Sequence, residues 1–179
     1  MNRSAVLSLA VVLASCLSSS CGYTLAGRGS FLPQTIQTIG IPEFTNRTPY
    51  ADLERTLTDR VRSEFIGRGK YKVLPQDNDV DAVLKVQIMS ATPSPTAFND
   101  SQQATRYAIT IVVGIEFIDA KDGKVLWQNP NQVFREEYQL TTNGGVLDPA
   151  AFFGQASNAI DRMASDFARS VVSAILEAF

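Results

Sequence analysis

Between Thr105 and Phe117 the chain alternates apolar and polar positions more regularly than anywhere else. Tyr107, Ile109, Ile111, Val113, Ile115 and Phe117 fall on one side, with Arg106, Thr110 and Glu116 on the other. A period of two sends successive side chains to opposite faces, so this stretch predicts a long strand with one buried face. A sheet buried on one face needs a second layer to cover it. The rest of the chain has to supply that layer.

Helical patterns do so twice. After a short strand expected over 35–41 and a stop at Pro42, Thr48-Pro49 predicts an N-cap followed by a first-turn proline, with Asp52 and Glu54 near the positive helix end. Tyr50, Leu53, Leu57, Val61 and Phe65 then repeat every three or four residues up to Gly67. Asp148-Pro149 repeats the device and opens a helical pattern to Phe179. Its expected stripe is Phe153, Ala156, Ile160, Met163, Phe167, Val171, Ala174 and Ala178.

Two further strands flank the central one. Leu84, Val86 and Ile88 alternate with Lys85 and Gln87 before Thr92-Pro-Ser-Pro95 is expected to break the strand. Asp119-Ala-Lys-Asp-Gly123 reads as a hairpin turn, with Gly123 free to take positive φ. The returning strand runs from Lys124 to Leu140, with a bulge or edge position at Asn129-Pro130. Phe134, Glu136, Tyr138 and Leu140 share one side of its second half. The expected fold is an α+β two-layer sandwich, with an antiparallel or mixed four-stranded sheet on two helices in the order β-α-β-β-β-α.

The start of the chain has another logic. Arg3 precedes the apolar run Ala5 to Ala14, which breaks at Ser18-Ser19-Ser20. That is too short for the ~20 apolar residues of a membrane span, and it reads as a secretory signal over residues 1–20. A cysteine behind small residues at such a cleavage site is an acceptor for a diacylglyceryl anchor, whose chains hold a membrane at ~0.8 kcal/mol per buried methylene. Two thiols qualify. Leu13-Ala14-Ser15-Cys16 has the better leader, whereas Cys21 leaves a signal of more ordinary length; we take Cys21, with Cys16 as the alternative. Residues 21–179 then form a single domain, tethered to a membrane through its N-terminal lipid.

Composition removes several chemistries. The chain contains no histidine and no cysteine beyond Cys21. Zinc sites of the His/Cys type and Ser-His-Asp or Cys-His catalysis are thereby excluded. With 16 basic and 18 acidic residues and a formal charge of −2, the chain lacks the basic excess of a nucleic-acid binder. No catalytic residue, metal site or cofactor is expected, and binding or assembly is the better class.

The remaining clusters have ordinary readings. Arg60, Arg62, Arg68, Lys70 and Lys72 gather near the end of the first helix; we read them as a solvated face complementing the helix dipole, not as an anion site. Asp77-Asn-Asp79-Val-Asp81 imitates a calcium loop, but Ala82 replaces the turn glycine and Ile88 the closing glutamate. Glu136 and Glu137 are adjacent and point to opposite faces of a strand. Asn46-Arg-Thr48 fits a glycosylation sequon, which carries little weight behind a bacterial lipoprotein signal. The loop over 91–104 has Pro93, Pro95, an exposed-looking Phe98 and no lysine or arginine. It is either a docking element tipped by Phe98 and Asn99 or a plain hairpin connection.

Taken in order, Cys21-Gly22-Tyr23-Thr-Leu-Ala-Gly27, Ile41-Pro42-Glu-Phe44-Thr-Asn46-Arg-Thr48, Leu53-Glu54-Arg-Thr-Leu57-Thr58, Asp81-Ala82-Val83-Leu84, Ala104-Thr105-Arg106-Tyr107 and Asp119 through Gly123-Lys124-Val-Leu-Trp127 resemble the LptE family of lipopolysaccharide-assembly lipoproteins. The resemblance implies an outer-membrane lipoprotein on the periplasmic face. It also implies a large β-barrel partner, LptD, whose lumen it plugs, and a role in inserting lipopolysaccharide into the outer leaflet. Gly22 after Cys21 agrees with outer-membrane sorting. Some members carry basic residues at the second hairpin tip that meet lipid A phosphates. Here the tip reads Phe98-Asn99-Asp100, so direct lipopolysaccharide contact does not carry over through that loop. The alternative is a lipid-anchored periplasmic adaptor that regulates another envelope enzyme or channel.

Overall fold

A computed structural model describes residues 32–68, 70–139 and 157–179 of the 179-residue chain. The signal segment, Cys16, Cys21, Leu140, Asp148-Pro149, Phe153 and Ala156 lie outside the described residues. Elements run in the order β1 (Thr38–Gly40), β2 (Thr45–Asn46), α1 (Leu53–Gly67), β3 (Lys72–Leu74), β4 (Ala82–Phe98), β5 (Ala104–Asp119), β6 (Val125–Gln139) and α2 (Ser157–Glu177). The expected two-layer α+β sandwich is the observed architecture. Its sheet, however, has six strands and not four, ordered β3-β1-β4-β5-β6 with β2 also paired to β4. The added strands, β2 and β3, are short and parallel, β3 pairing with the expected first strand β1 and β2 with β4; β1 also pairs with β4. Two- and three-residue strands are too short to display a hydrophobic period.

The long antiparallel meander β4-β5-β6 is the body of the sheet. Its inner face carries the alternating residues of β5, with Ile109, Ile111, Val113, Ile115 and Phe117 all buried. Leu84, Val86 and Ile88 join them from β4. Each such side chain contributes ~1.5–3 kcal/mol relative to exposure. Met89 is an extra residue between the pairs Ile88↔Val113 and Ser90↔Val112, and it shifts the inner parity of β4 so that Ala91 is the next buried position. The expected irregularity in β6 is present. Pro130 and Asn131 together oppose Gly114 between the pairs Val113↔Gln132 and Ile115↔Asn129.

The strand break expected at Thr92-Pro-Ser-Pro95 does not occur. β4 continues in register with β5 through Pro93↔Ile109 and Pro95↔Tyr107. Proline lacks an N–H, which a strand tolerates on an unpaired side. Beyond Ile88, β4 has no second strand neighbour among the described residues. The prolines therefore sit on an edge, and the connection shrinks to the residues between Phe98 and Ala104.

Both helices pack on the inner face. α1 buries Leu53, Leu57, Thr58, Val61 and Phe65, the expected stripe with Thr58 added and without Tyr50, which precedes the helix and is half-buried. The Thr58 hydroxyl is satisfied: it accepts from the Phe44 N–H at 3.1 Å and donates to the Glu54 carbonyl at 2.6 Å. The helix begins at Leu53, after Asp52 at φ 66°, and not at Thr48-Pro49. Asn46 and Thr48 organise the turn before it instead. α2 buries Met163/Ala164, Phe167/Ala168, Val171/Val172 and Ile175/Leu176, a wider face than the expected stripe. Ala174 and Ile160 are half-buried and Ala178 is exposed. The width follows from two neighbours, because α2 contacts α1 and β6 together. Arg60 reaches Asp161 at 3.6 Å and Arg68 donates to Ser173 Oγ at 3.0 Å, so α1 and α2 run parallel. At the centre, the Phe167 ring meets Phe134 at 4.9 Å and Phe44 at 6.2 Å, both edge to face.

Candidate interaction surfaces

The basic cluster resolves into structural partners. Arg62 donates from Nε and Nη2 to the Ile41 carbonyl at 3.0 and 2.7 Å, and Arg68 pairs with Glu64 at 2.9 Å. With Arg60 on Asp161, three of the five cations hold α1 to its neighbours. The calcium-like run is likewise a turn. Asp81 Oδ2 accepts the N–H groups of Gln37 and Thr38 at 3.1 and 3.0 Å, and its Oδ1 lies 3.3 Å from Lys121 Nζ. The two backbone donors, aided by Lys121, hold this carboxyl below the usual range. No cluster of three metal-type ligands occurs among the described residues. Glu136 turns inward to Arg162 at 2.9 Å, while Glu137 faces Arg106 at 4.0 Å on the other side of the sheet. The two carboxylates do not meet.

The Asn46 amide is fully engaged inside the fold. Nδ2 donates to the Tyr50 carbonyl at 2.7 Å and to Glu54 Oε2 at 2.6 Å, and Oδ1 accepts the Thr48 N–H and hydroxyl, both at 2.8 Å. Next to it, the Arg47 guanidinium faces Gln87. With the Gln87 amide oxygen turned toward it, Nε and Nη2 both lie at 3.0 Å.

At the far end of β4, Phe98 is 60% exposed. Asn99 follows it in the turn, and its side chain is spent on that turn. Its Oδ1 accepts the N–H groups of Ser101 and Gln103 at 3.0 and 2.9 Å, and its Nδ2 reaches Gln103 Oε1 at 3.2 Å. The structure thus brings the two expected contact residues side by side with different characters: a free aromatic knob and a turn-former. Below the tip, Tyr107 stacks on Tyr138 at 6.3 Å, and burial pushes the Tyr138 phenol above its usual range.

The other face of the sheet, which neither described helix covers, is the polar side that the alternation of β5 implies. Its central positions are short or uncharged (Ser90, Thr92, Ser94, Ala108, Thr110, Val112, Gly114), with Lys85 and Glu116 paired at one end.

No helix among the described residues is long and apolar enough to cross a membrane. No curated protein matches the sequence. Among solved structures, a hypothetical protein from Chlamydia trachomatis is 12% identical, covering 79% of this chain and 96% of its own, with a TM-score of 0.50. A minor lipoprotein from Acinetobacter baumannii is 13% identical over 80% and 93%, with a TM-score of 0.48. Rare lipoprotein B from Shewanella oneidensis is 15% identical over 78% and 93%, with a TM-score of 0.46. At 12% identity the likeness to the Chlamydia protein concerns the fold alone. The profile of the LptE family, described as lipopolysaccharide-assembly, matches residues 36–175, from just before β1 into the last turn of α2. The chain belongs to the LptE family of lipopolysaccharide-assembly proteins.

Proposed function

We propose that this chain is an outer-membrane lipoprotein, lipidated at Cys21 or alternatively Cys16, that partners the β-barrel LptD on the periplasmic side. It plugs the barrel lumen, assists barrel assembly and serves lipopolysaccharide insertion into the outer leaflet. The observation that carries the reading is the family match, which takes in every described strand and helix but for the last two residues of α2. The surfaces agree with a binding role. Among the described residues, one sheet face is covered by helices, the other is not, and an aromatic stands at the hairpin tip. Aromatic side chains are enriched at interface hot spots, and Phe98 is the expected anchor with Asn99 beside it. The tip carries Asp100 and no cation, which favours a protein contact there over a phosphate.

The test is capture from living cells. Photo-crosslinkers at Phe98 and Asn99 should trap one large outer-membrane barrel, identified by mass spectrometry of detergent-solubilised outer membranes. Depleting this protein should lower the amount of correctly assembled barrel, and intact mass should show acylation of Cys21 or Cys16. No barrel from several surface positions, with barrel assembly unchanged on depletion, would favour the adaptor reading.

A further inference from the structure

The two hairpins of the meander close their turns differently. The β5-β6 turn places Gly123 at φ 71°, in the left-handed region that glycine enters without steric cost. The β4-β5 turn places Gln102 there, at φ 59°. A residue with a Cβ resists that conformation, so something else has to hold the turn. Asn99 does. Its Oδ1 accepts both the Ser101 and the Gln103 N–H, at 3.0 and 2.9 Å, and its Nδ2 reaches Gln103 Oε1 at 3.2 Å. The main chain adds two bonds, Asn99 N–H to the Gln103 carbonyl and Gln102 N–H to the Asn99 carbonyl, both at 2.9 Å.

Below the turn the ladder is adjusted twice. Thr96 is an extra residue in β4, between Pro95↔Tyr107 and Ala97↔Arg106, and Thr105 is one in β5, between Ala97↔Arg106 and Phe98↔Ala104. The two shifts cancel, so Phe98 is paired again immediately before Asn99. Bulges re-aim side chains. The side chain presented here is the Phe98 ring, 60% exposed. An exposed ring adds nothing to the core, so the construction around it is not explained by packing. It matters for binding, because a ring already held in one position loses less freedom when it docks.

We propose that Asn99 is a positioning residue, which builds the turn that presents Phe98 and acts on the barrel partner through that ring, not by a contact of its own. This rests on the partner reading above, with Phe98 as the anchor. The receiver is an apolar recess in a polypeptide, since Asp100 and the lack of any cation over 98–104 disfavour a phosphate-bearing headgroup.

A double-mutant cycle tests it, with tagged full-length protein in living cells and the co-purified barrel as readout. Phe98→Ala should lower the barrel recovered by about tenfold or more. Asn99→Ala should lower it several-fold, and should add nothing in the Phe98→Ala background. Asn99→Asp, which keeps an acceptor for both N–H groups, should retain most of the capture. Gln102→Gly should restore part of it to Asn99→Ala, by removing the steric cost of the left-handed position. Thermal midpoints should stay close to wild type, since the turn lies outside the core. A photo-crosslinking aromatic in place of Phe98 should trap the barrel, and one in place of Asn99, which removes the turn, should trap less. Undiminished capture by Asn99→Ala or by Phe98→Ala would overturn the positioning role and leave the partner reading in place. So would a further loss on adding Asn99→Ala to Phe98→Ala, an Asn99→Asp as poor as Asn99→Ala, or crosslinks from Phe98 that reach only lipid. A protein that recovers no barrel, by co-purification or by crosslinking from Phe98, would overturn both.

Discussion

The Arg62 guanidinium closes on the carbonyl oxygen of Ile41 with two donors, at 3.0 and 2.7 Å, fastening α1 to the chain just after β1. The side chain is 24% exposed, so water replaces those bonds poorly. A hydrogen bond from a charged group contributes about 1.5–3 kcal/mol. Arg62→Ala should lose stability in that range, read as a lower midpoint in urea at unchanged m-value. Arg62→Lys, which cannot present two donors in one plane, should recover only part of it.

Asp81 makes the fold acid-sensitive at one identified point. Its carboxyl is held below the usual range by the Gln37 and Thr38 N–H groups, so the folded state binds its proton less readily than the unfolded state does. The stabilisation is present above the ordinary aspartate pKa of about 4 and is lost as pH falls through the lowered value. Asp81→Asn should therefore be less stable than wild type at neutral pH, with the gap closing under acid. Melting curves of the pair between pH 7 and pH 2 would show whether it does.

The two faces of β5 should respond unequally to charge. Ile111 is 1% exposed against the helices, whereas Thr110 is half-buried on the open face. Ile111→Asp should cost several kcal/mol, enough to unfold a domain of ~5–15 kcal/mol stability. Thr110→Asp should cost about 1 kcal/mol or less in the isolated protein. Denaturant titrations decide it, and equal damage would mean that the second face is also covered.

Asn46 offers a nearly isosteric test. Asn46→Asp replaces a donor that serves Tyr50 and Glu54 with an acceptor, setting a carboxylate against Glu54. The unmade bonds should cost about 2 kcal/mol or more. Adding Glu54→Gln should restore part of it by supplying a donor, as a double-mutant cycle on thermal midpoints would measure.

What the sequence made legible were the elements with a long period. β5, the α1 stripe, the Gly123 turn at φ 71° and the β6 bulge are all found where alternation and turn residues put them. The missed features depend on neighbours that a period does not contain. β2 and β3 are held by parallel pairing with β4 and β1, not by their own pattern. Thr48-Pro49 looks like a helix start, but Asn46 captures the Thr48 N–H and hydroxyl and the helix waits for Leu53. The width of the α2 face reflects two packing partners. Of the candidate sites, Phe98 was legible as an exposed tip aromatic. The Met89 bulge was not legible, because an extra residue in a strand shows only against the ladder of its partner β5.

The prolines at 93 and 95 have a consequence beyond tolerating an edge. An extended strand with one side open is a template on which another copy of the chain can add itself, the first step toward aggregation. The ladder to β5 keeps its register from Ser90 through both prolines and shifts only after Pro95, so the donors they lack are missing from the open side of β4. A strand arriving there would leave two of its own carbonyls without partners, and the long hairpin can stand clear of the helices without recruiting a neighbour.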